Sequence, residues 1–227
     1  MDVTIIILNF NRRKFLERSL RSCLDQITAN KKIEVLVVDD NSKDDSIKFL
    51  KRYKKQVTLI KNKKNHGVGY CSNLAVKKSK GKYFIRVDSD DYINKFTVEI
   101  MSEILDNNKE LSFVYADHFR VDENSFKQKL VKIRNLKQLF LHGAGIMFKK
   151  NDVLSIGNYN KNLRGAEDHE LIYRLIEENK KYFHLPLPFY RYYIHRNNLT
   201  NHQNRQKFIK KFNQINVKKS QNRQKDT

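Results

Sequence analysis

Acidic residues are scarce in this chain, and many of them lie in three short clusters. The sequence contains 46 Lys and Arg against 25 Asp and Glu, yet ten of those acids fall in the clusters. Like charges packed together need a cation or hydrogen-bond donors close by. The clusters are Asp39, Asp40, Asp44 and Asp45; then Asp88, Asp90 and Asp91; then Glu167, Asp168 and Glu170.

The second cluster has the residue types and spacing of a metal site. Asp88 and Asp90 are two residues apart, so their carboxylates leave the same face of an extended segment. Two hard oxygen ligands suit Mg²⁺ or Mn²⁺, which take one or two carboxylates and complete their shell with water and substrate phosphates. The competing interpretation is a cap for the helix that follows, since Asp and Ser are favoured at that position.

The segments between the clusters predict an α/β fold with a mainly parallel sheet. Apolar runs at 3–8, 33–38, 57–60 and 83–87 are typical of buried strands, and stretches of helical spacing separate them. Repeated strand–helix–strand units imply right-handed crossovers, with helices on both faces of the sheet. The second half is less regular, with predicted helices at 96–105 and from about 168, and predicted strands at 113–119, 145–148 and 189–194.

Polar residues follow three of the predicted strands, which makes one rim of the sheet a candidate nucleotide site. Asn9, Phe10 and Asn11 follow the first strand, 39–42 the second and 88–91 the fourth. Ligands of open parallel sheets bind beyond the carboxyl ends of the strands. Asp40 and Asn41 could hydrogen-bond a base and ribose, and Phe10 could stack on the base. The alternatives are helix capping near Asp44 for Asp40 and core packing for Phe10.

A glycine-rich stretch precedes the third predicted helix. The run Gly67-Val68-Gly69-Tyr70-Cys71-Ser72 nearly matches a dinucleotide-binding fingerprint. That fingerprint requires a strand running directly into the first glycine, and here the polar segment 61–66 intervenes. We therefore expect a tight turn at Gly67 near phosphate or ribose, with Asn73 available to bond the ligand.

The third acidic cluster and two further segments supply candidate groups in the second half. Glu167 and Asp168 begin a predicted helix, whose N-terminus favours an ionised carboxylate. An ionised Asp168 near a metal-bound diphosphate could take the proton from an attacking hydroxyl, although acids are common in first turns for stability alone. Gly143 and Gly145 form a small-residue stretch that substrate could approach, and His195 could be a metal or phosphate ligand or a structural histidine.

The bulk properties limit the class of protein. The 227 residues fit one domain over 1–200, followed by a basic tail over 201–227. Only Cys23 and Cys71 are present, so a disulfide framework or a thiolate metal site is not expected. No apolar run approaches the ~18 residues of a membrane span, and no signal peptide is recognised. These features predict a cytoplasmic protein, and the net charge of +21 predicts attraction to polyanions.

The order of these motifs resembles glycosyltransferase family 2, whose members have the GT-A fold. The resemblance rests on four segments in order: Val3 to Asn11, Val37 to Ser42, Asp88 to Asp91, and Gly165 to Asp168. It implies inverting transfer of a sugar from a nucleotide-diphosphate sugar, most often UDP-linked, to an acceptor hydroxyl, with Mn²⁺ or Mg²⁺. It also implies a nucleotide-binding half over 1–95 and an acceptor-binding half over 96–200.

The resemblance assigns roles residue by residue. Asp40 lies on the base, Asp88 on the ribose or metal, and Asp90 on the metal. Asp168 is the general base, with Glu167 beside it in the same motif, and His195 is directed at the metal or diphosphate. The segment from Gly143 to Gly145 looks like the glycine loop near donor and acceptor. Two positions depart from the family pattern: Ser72 stands where arginine is frequent, and Asn9 where a small hydroxyl residue is frequent.

Two other functions are compatible with parts of the sequence. A sugar-nucleotide-forming nucleotidyltransferase would use a similar fold and metal pair, but it needs a basic glycine-rich loop after the first strand, where this chain has Asn9-Phe10-Asn11. A nucleic-acid-binding module would explain the charge but leaves the acidic clusters unexplained. The tail, with apolar Phe208, Ile209 and Phe212, is predicted either to meet an anionic membrane surface where saccharide or lipid-linked acceptors are assembled, or to be a disordered basic segment.

Overall fold

The computed structural model describes residues 1–123, 128–135, 138–139, 145–163, 165–196 and 198. Within these residues, the first half alternates strands and helices, and the second half is richer in strands. The elements are β1 (Val3–Asn9), α1 (Arg13–Leu24), β2 (Ile33–Asp39), α2 (Ser46–Leu50), β3 (Thr58–Lys61), α3 (Val68–Lys78), β4 (Tyr83–Asp88), β5 (Tyr92–Ile93), α4 (Thr97–Asn107), β6 (Leu111–Asp122), β7 (Gln128–Val131), β8 (Ile146–Lys149), α5 (Lys150–Ser155), α6 (Glu167–Glu177) and β9 (Lys181–Ile194).

The described strands form one sheet in the order β3-β2-β1-β4-β8-β6-β9-β5, with β7 paired to β6. The pairs among β1 to β4 are parallel, and so is the long pair of β6 with β9. Strand β8 is antiparallel to both β4 and β6, and it joins the strands of the first half to those of the second. The predicted α/β fold with a mainly parallel sheet is confirmed.

Helices cover both faces of the sheet because its central strands are apolar on both sides. On one face, Ile5 and Val37 pack with Leu16 of α1 and Met101 of α4. On the other face, the core includes side chains from β1, β2 and β4 together with α3, α5 and α6. Fully buried β-branched strands of this kind are expected when a parallel sheet is covered twice. This packing fixes the carboxyl ends of β1, β2 and β4 at one edge.

The structure differs from the sequence-based expectations in the lengths of two helices and in strands that pair with distant parts of the chain. The helix predicted after Asp44 is only α2, and a 3₁₀ turn over Lys51–Tyr53 continues it. Ile27 lies beyond the end of α1 and is exposed. The short strands β5 and β7 and the antiparallel direction of β8 have no signal in the local sequence pattern.

Some features of interest lie outside this description. Gly143, with its neighbours 142 and 144, and the basic tail 201–227 are not among the described residues. In the described part of the chain, every helix is too short or too polar to cross a bilayer.

Candidate active site

Three strand ends lie side by side at one edge of the sheet and carry polar side chains. Asn9 of β1 pairs in register with Asp39 of β2, and Leu8 of β1 pairs with Asp88 of β4. The parallel direction of all three strands places their carboxyl ends together. This rim brings together residues that are 30 to 79 positions apart in sequence, and the following loops build on it.

The loops after β1 and β2 are held together by a small polar network. Asn9 Nδ2 donates to Asp39 Oδ2 at 2.8 Å and to Ser42 Oγ at 3.1 Å. Ser42 Oγ also accepts from the Asn11 amide at 2.9 Å, and Asn11 Oδ1 accepts from the Lys43 amide at 2.7 Å. Asn9, Asn11 and Asp39 therefore shape this rim through their hydrogen bonds to protein groups.

Two asparagines in these loops adopt left-handed backbone conformations. Asn11 has φ of 52° and Asn41 has φ of 66°, values that asparagine tolerates better than most residues. The turn at Asn11 leaves Phe10 with 45% of its surface exposed at the rim. Phe10 is thus not a core residue, and its ring is accessible to a ligand.

Asp40 organises the entry to α3. Its Oδ2 accepts from the Gly67 amide at 2.7 Å, both oxygens lie 3.0 Å from the His66 amide, and Oδ1 accepts from Asn62 Nδ2 at 2.8 Å. Gly67 has φ of 85° and directly precedes α3, so it forms the tight turn that the sequence predicted. Asn62 and His66 had no sequence signal, since their role depends on the position of Asp40.

Asn73 is engaged by the loop that precedes α6. Its Nδ2 donates to the Tyr159 carbonyl at 2.8 Å, and its Oδ1 accepts from the Tyr159 amide at 2.8 Å. These two bonds fasten α3 to the 156–163 segment of the second half. The Asn73 side chain, which the sequence predicted to bond a ligand, thus has both of its polar atoms bonded to the Tyr159 backbone.

The Asp88–Asp91 cluster separates into three different environments. Asp88 has 37% of its side chain exposed at the rim, whereas Asp90 has 13%. Asp91 is buried and accepts from the Tyr190 hydroxyl at 2.7 Å and from the Tyr193 amide at 2.8 Å. Burial raises the pKa of Asp91 well above its usual range, and Asp90 and Asp88 add to that rise. Asp91 anchors the turn on β9, which leaves Asp88 and Asp90 as the two candidate ligands.

Asp90 lies between a histidine and an arginine. His195 Nε2 is 2.9 Å from Asp90 Oδ2, and Arg12 Nε is 3.5 Å from the same oxygen. The His195 ring packs on Phe15 with 4.4 Å between ring centroids, which holds the imidazole on this side of the cluster. The structure thus brings His195 to the candidate metal ligand Asp90, across 105 residues of sequence.

Glu167 and Asp168 begin α6 and meet a buried arginine of β4. Arg86 Nη2 contacts Asp168 Oδ2 directly, and Arg86 Nη1 lies 3.7 Å from Glu167 Oε1. Glu167 Oε2 also accepts from the Gly165 amide at 2.8 Å, which closes the turn into the helix. This contact brings Asp168 to the β4 strand that ends at Asp88.

The charge state of Asp168 is set by competing neighbours. Burial raises the pKa of the Asp168 carboxyl to about 8, Glu167 and Asp88 add to the rise, and the Arg86 guanidinium opposes it. The helix N-terminus alone predicted a readily ionised carboxylate; in the structure, burial has the larger effect. A carboxyl with a raised pKa is a stronger base once ionised.

Gly145 adjoins the same region from the second half. It has φ of 73°, and a Cβ placed there would lie 2.6 Å from Tyr190 Cδ2. Glycine is therefore required both by the backbone conformation and by the close approach of the Tyr190 ring. Gly143, its partner in the predicted glycine loop, lies outside the described residues.

The described carboxylates at this rim do not provide a complete set of protein ligands for a metal ion. Within the described ranges, no group of three or more His, Cys, Asp and Glu side chains is arranged to hold a metal ion. Asp88 and Asp90 nevertheless supply two hard oxygen donors beside an open rim. That number fits Mg²⁺ or Mn²⁺, which commonly take one or two carboxylates and several water or phosphate ligands.

Sequence comparison relates this chain to a known family. A sequence model described as Glycosyl transferase family 2 matches residues 4–159. The chain is 25% identical over 195 residues to an uncharacterized glycosyltransferase of Methanocaldococcus jannaschii, covering 79% of this chain and 66% of the relative. It is 25% identical over 182 residues to poly(ribitol-phosphate) beta-N-acetylglucosaminyltransferase TarS of Staphylococcus aureus, covering 74% of this chain and 31% of that protein. The chain thus spans less than two thirds of the length of these relatives.

Solved structures show the same fold. A crystal structure of S. aureus TarS in complex with UDP has a TM-score of 0.73 at 21% identity, covering 86% of this chain and 61% of that chain. The mannosyltransferase PcManGT from Pyrobaculum calidifontis, solved with GDP-Man and Mn²⁺, has a TM-score of 0.68 at 16% identity, covering 86% and 57%. The α/β sheet described above is of the GT-A type, and since the family model matches well over half of the sequence, this chain belongs to glycosyl transferase family 2.

Proposed function

We propose that this chain transfers a sugar from a nucleotide-diphosphate sugar to an acceptor hydroxyl, with inversion at the anomeric carbon. The observation that carries the proposal is the link through Arg86, which joins Asp168 at the start of α6 to Asp88 at the end of β4. A base for the acceptor and carboxylates for the donor are therefore neighbours at one rim. Inverting transfer needs such a pair, since the nucleophile attacks opposite the leaving diphosphate.

The donor side of the proposal rests on the first half of the rim. Phe10 has an accessible ring to stack on a base, and Asn41 follows β2 at the same edge. Asp40, which the sequence placed on the base, is buried and bonded to the His66 and Gly67 amides, so it supports this side by holding the turn into α3. We propose a UDP-linked sugar, because TarS was crystallised with UDP and with UDP-GlcNAc. A guanosine donor is the alternative, since the mannosyltransferase neighbour was crystallised with GDP-Man.

We propose that Asp88 and Asp90 hold Mn²⁺ or Mg²⁺, with His195 as a further ligand to the metal or diphosphate. The nearness of His195 to Asp90, at 2.9 Å, supports that assignment. When bound, such a cation neutralises the negative charge that develops on the leaving diphosphate. Arg12, 3.5 Å from Asp90, partly balances the charge of this carboxylate.

Asp168 takes the proton from the acceptor hydroxyl in this proposal. Its carboxyl is buried at the start of α6, and burial raises its pKa, which makes the carboxylate a stronger base once it is ionised. General-base help of this kind contributes ~10²–10⁴-fold to rate. Glu167 supports the site by bonding the Gly165 amide, and the segment containing Gly143 and Gly145 would line the route of the acceptor.

The acceptor is proposed to be a saccharide, a lipid-linked saccharide or another hydroxyl-bearing glycoconjugate of the cell surface. This class is suggested by relatives whose names are chondroitin synthase of Escherichia coli and minor teichoic acid biosynthesis protein GgaB of Bacillus subtilis. We propose that the protein acts in the cytoplasm, with the basic tail contacting the inner face of the membrane. Eight Lys or Arg against one acid in 201–227 give that contact its electrostatic basis.

A panel of sugar nucleotides tests the proposal. Each donor is added with and without Mn²⁺, and donor hydrolysis, transfer to simple saccharides and the shift in melting temperature are measured. We expect one nucleotide class to stabilise the protein only when Mn²⁺ is present, and the Asp90→Ala variant to lose that dependence. Calorimetry that gives Asp90→Ala the donor affinity of the wild type would contradict the assigned metal ligand. Salt-sensitive binding of nucleic acid, with no response to any donor, would instead favour a nucleic-acid-binding function.

A further inference from the structure

Arg86 is a charged residue in a strand that is otherwise built for the core. Its neighbours in β4 include Tyr83, Phe84, Ile85 and Val87, all buried, and Arg86 itself is only 6% exposed. Taking a guanidinium out of water costs several kcal/mol unless it is paired and hydrogen-bonded. The position of Arg86 is therefore explained only by the groups that surround it.

Those groups come from three parts of the chain and converge on the three guanidinium nitrogens. Nη2 contacts Asp168 Oδ2, Nη1 lies 3.2 Å from Ser72 Oγ and 3.7 Å from Glu167 Oε1, and Nε lies 3.6 Å from Asp88 Oδ1. Three carboxylates thus share one cation. Without it, Asp88, Glu167 and Asp168 would repel one another in a poorly solvated space.

The guanidinium is also confined by its surroundings. Its Cζ lies 5.7 Å from the centre of the Tyr159 ring, and Tyr159 is fixed through its backbone by Asn73. Ser72 and Asn73 both belong to α3. The same helix therefore contacts Arg86 Nη1 through Ser72 and fixes the neighbouring Tyr159 through Asn73. A planar fork held in this way keeps its partners at set directions, which an ammonium group on a flexible chain does not.

We propose that Arg86 is a positioning residue for sugar transfer, one that fixes the Asp168 carboxylate relative to Asp88. Asp168 belongs to a helix 82 residues away in sequence from β4, and Arg86 is the direct side-chain link between them. Arg86 acts through Asp168 and is not assigned a contact with the reacting atoms. This inference rests on the proposed function, because it presumes that Asp168 is the base.

The first test compares Arg86→Lys with a matched control, Arg174→Lys. Arg174 lies on α6, the helix that carries Asp168, and it bonds Glu170 and the carbonyls of Ile156 and Asn158, none of which is among the Arg86 partners named above. A misplacement of about 1 Å can cost ~10²-fold in rate. We therefore expect Arg86→Lys to lower kcat for transfer about 10²-fold with the donor KM within about threefold, and Arg174→Lys to change kcat less than about threefold. Unchanged kcat in Arg86→Lys, or a donor KM raised more than tenfold, would overturn the assignment.

The second test is a double-mutant cycle with Asp168→Asn. If Arg86 acts through Asp168, adding Arg86→Lys to Asp168→Asn should lower the residual rate by less than about threefold. Losses that multiply would show that Arg86 works by another route. Should Arg86→Lys fail to fold, Ser72→Ala serves in its place, since it releases Nη1 alone; it should lower kcat and leave the donor KM unchanged, and an unchanged kcat would count against the proposal. A wild-type protein that turns over no donor would instead refute the proposed function itself.

Discussion

At the scale of single residues, the aspartates at this rim have different structural roles. Asp39 and Asp40 accept hydrogen bonds from the loops and turn around them, and Asp91 accepts hydrogen bonds from β9. Asp88 and Asp90 keep part of their side chains exposed at the rim. Each role follows from how many protein donors reach the carboxylate. A carboxylate that is fully bonded to the protein shapes the site, whereas one left partly exposed is available to a cation or substrate.

Asp168→Asn separates base catalysis from donor binding. Asparagine has nearly the same shape and can still accept a hydrogen bond from Arg86, but it cannot take a proton. We expect transfer to fall ~10²–10⁴-fold, while calorimetry shows donor and Mn²⁺ affinity within about threefold of wild type. Asp152→Asn, at a surface ion pair with Lys180, is the control and should retain full activity. Normal turnover by Asp168→Asn would remove Asp168 from the base role.

The sequence indicated part of this arrangement for a clear physical reason. Strand ends in a parallel sheet meet at one edge, so Asn9, Asp39 and Asp88 could be expected together from their positions alone. Arg86 was not recognised, although a signal existed. A charged residue two positions before Asp88 in an apolar strand shares its face and must find an acid, and Asp168 was the acid of the next cluster.

At the scale of elements, β9 supports the turn of Asp88 to Asp91 from a distant part of the sequence. Tyr190 bonds Asp91, packs against the backbone at Gly145, and lies 3.3 Å through its hydroxyl from the Asp88 amide. The sequence predicted a strand at 189–194, but not the residues it would touch. Contacts made by a strand depend on its neighbours in the sheet, and the order β8-β6-β9-β5 is not encoded in local spacing.

Gly145→Ala tests the close packing of Tyr190. The new methyl group would meet the ring at 2.6 Å and the backbone would keep an unfavourable φ of 73°, so we expect a loss of about 3 kcal/mol in the free energy of unfolding. Gly157→Ala is the matched control, since its φ is 91° but no atom lies within 4 Å of the added Cβ. It should lose only about 1 kcal/mol, which reports the backbone term alone. Equal losses in urea unfolding would contradict the packing argument.

His118 of β6 gives the fold a dependence on pH. Burial lowers the pKa of His118 to about 4, with the Arg120 charge adding to the decrease and Asp117 opposing it. The unfolded chain therefore takes up this proton near pH 6.5 while the folded protein does not, so stability is lost as pH falls from about 6.5 toward 4. Between pH 7 and pH 5 we expect wild type to lose about 2 kcal/mol more unfolding free energy than His118→Gln. Parallel stability curves for the two proteins would argue against a neutral buried histidine.

At the scale of the whole molecule, basic residues outnumber acidic residues by 46 to 25. A net charge of +21 favours attraction to phosphate-rich molecules and surfaces. The fold could be expected from sequence because buried strands and amphipathic helices alternate regularly over 3–88. The main helices and strands of the second half were predicted as well, but their arrangement in the sheet was not, since it depends on β8 running antiparallel between two strands that are distant in sequence.

Removal of 203–227 tests the contribution of the tail to membrane contact. We expect the full chain to sediment with vesicles containing anionic lipid and the shortened chain to bind at least about 100-fold less, because each of the eight Lys and Arg removed contributes up to about 1 kcal/mol near such a surface. Binding of the full chain should weaken as salt is raised from 50 to about 300 mM. Neutral vesicles provide the baseline. Equal sedimentation of both chains would exclude the tail as the contact.

The Tyr190–Asp91 bond has a consequence for how this protein can be divided. A fragment that stopped after residue 95 would keep Phe10, Asp40, Asp88 and Asp90. Its Asp91 carboxylate, however, would lose the hydrogen bonds from the Tyr190 hydroxyl and the Tyr193 amide that compensate for its burial. The turn that carries Asp88 and Asp90 would then lose its hydrogen bonds to β9. The candidate rim is therefore not a detachable module: β9 completes what β1 to β4 begin, and grafting experiments should move these strands as one unit.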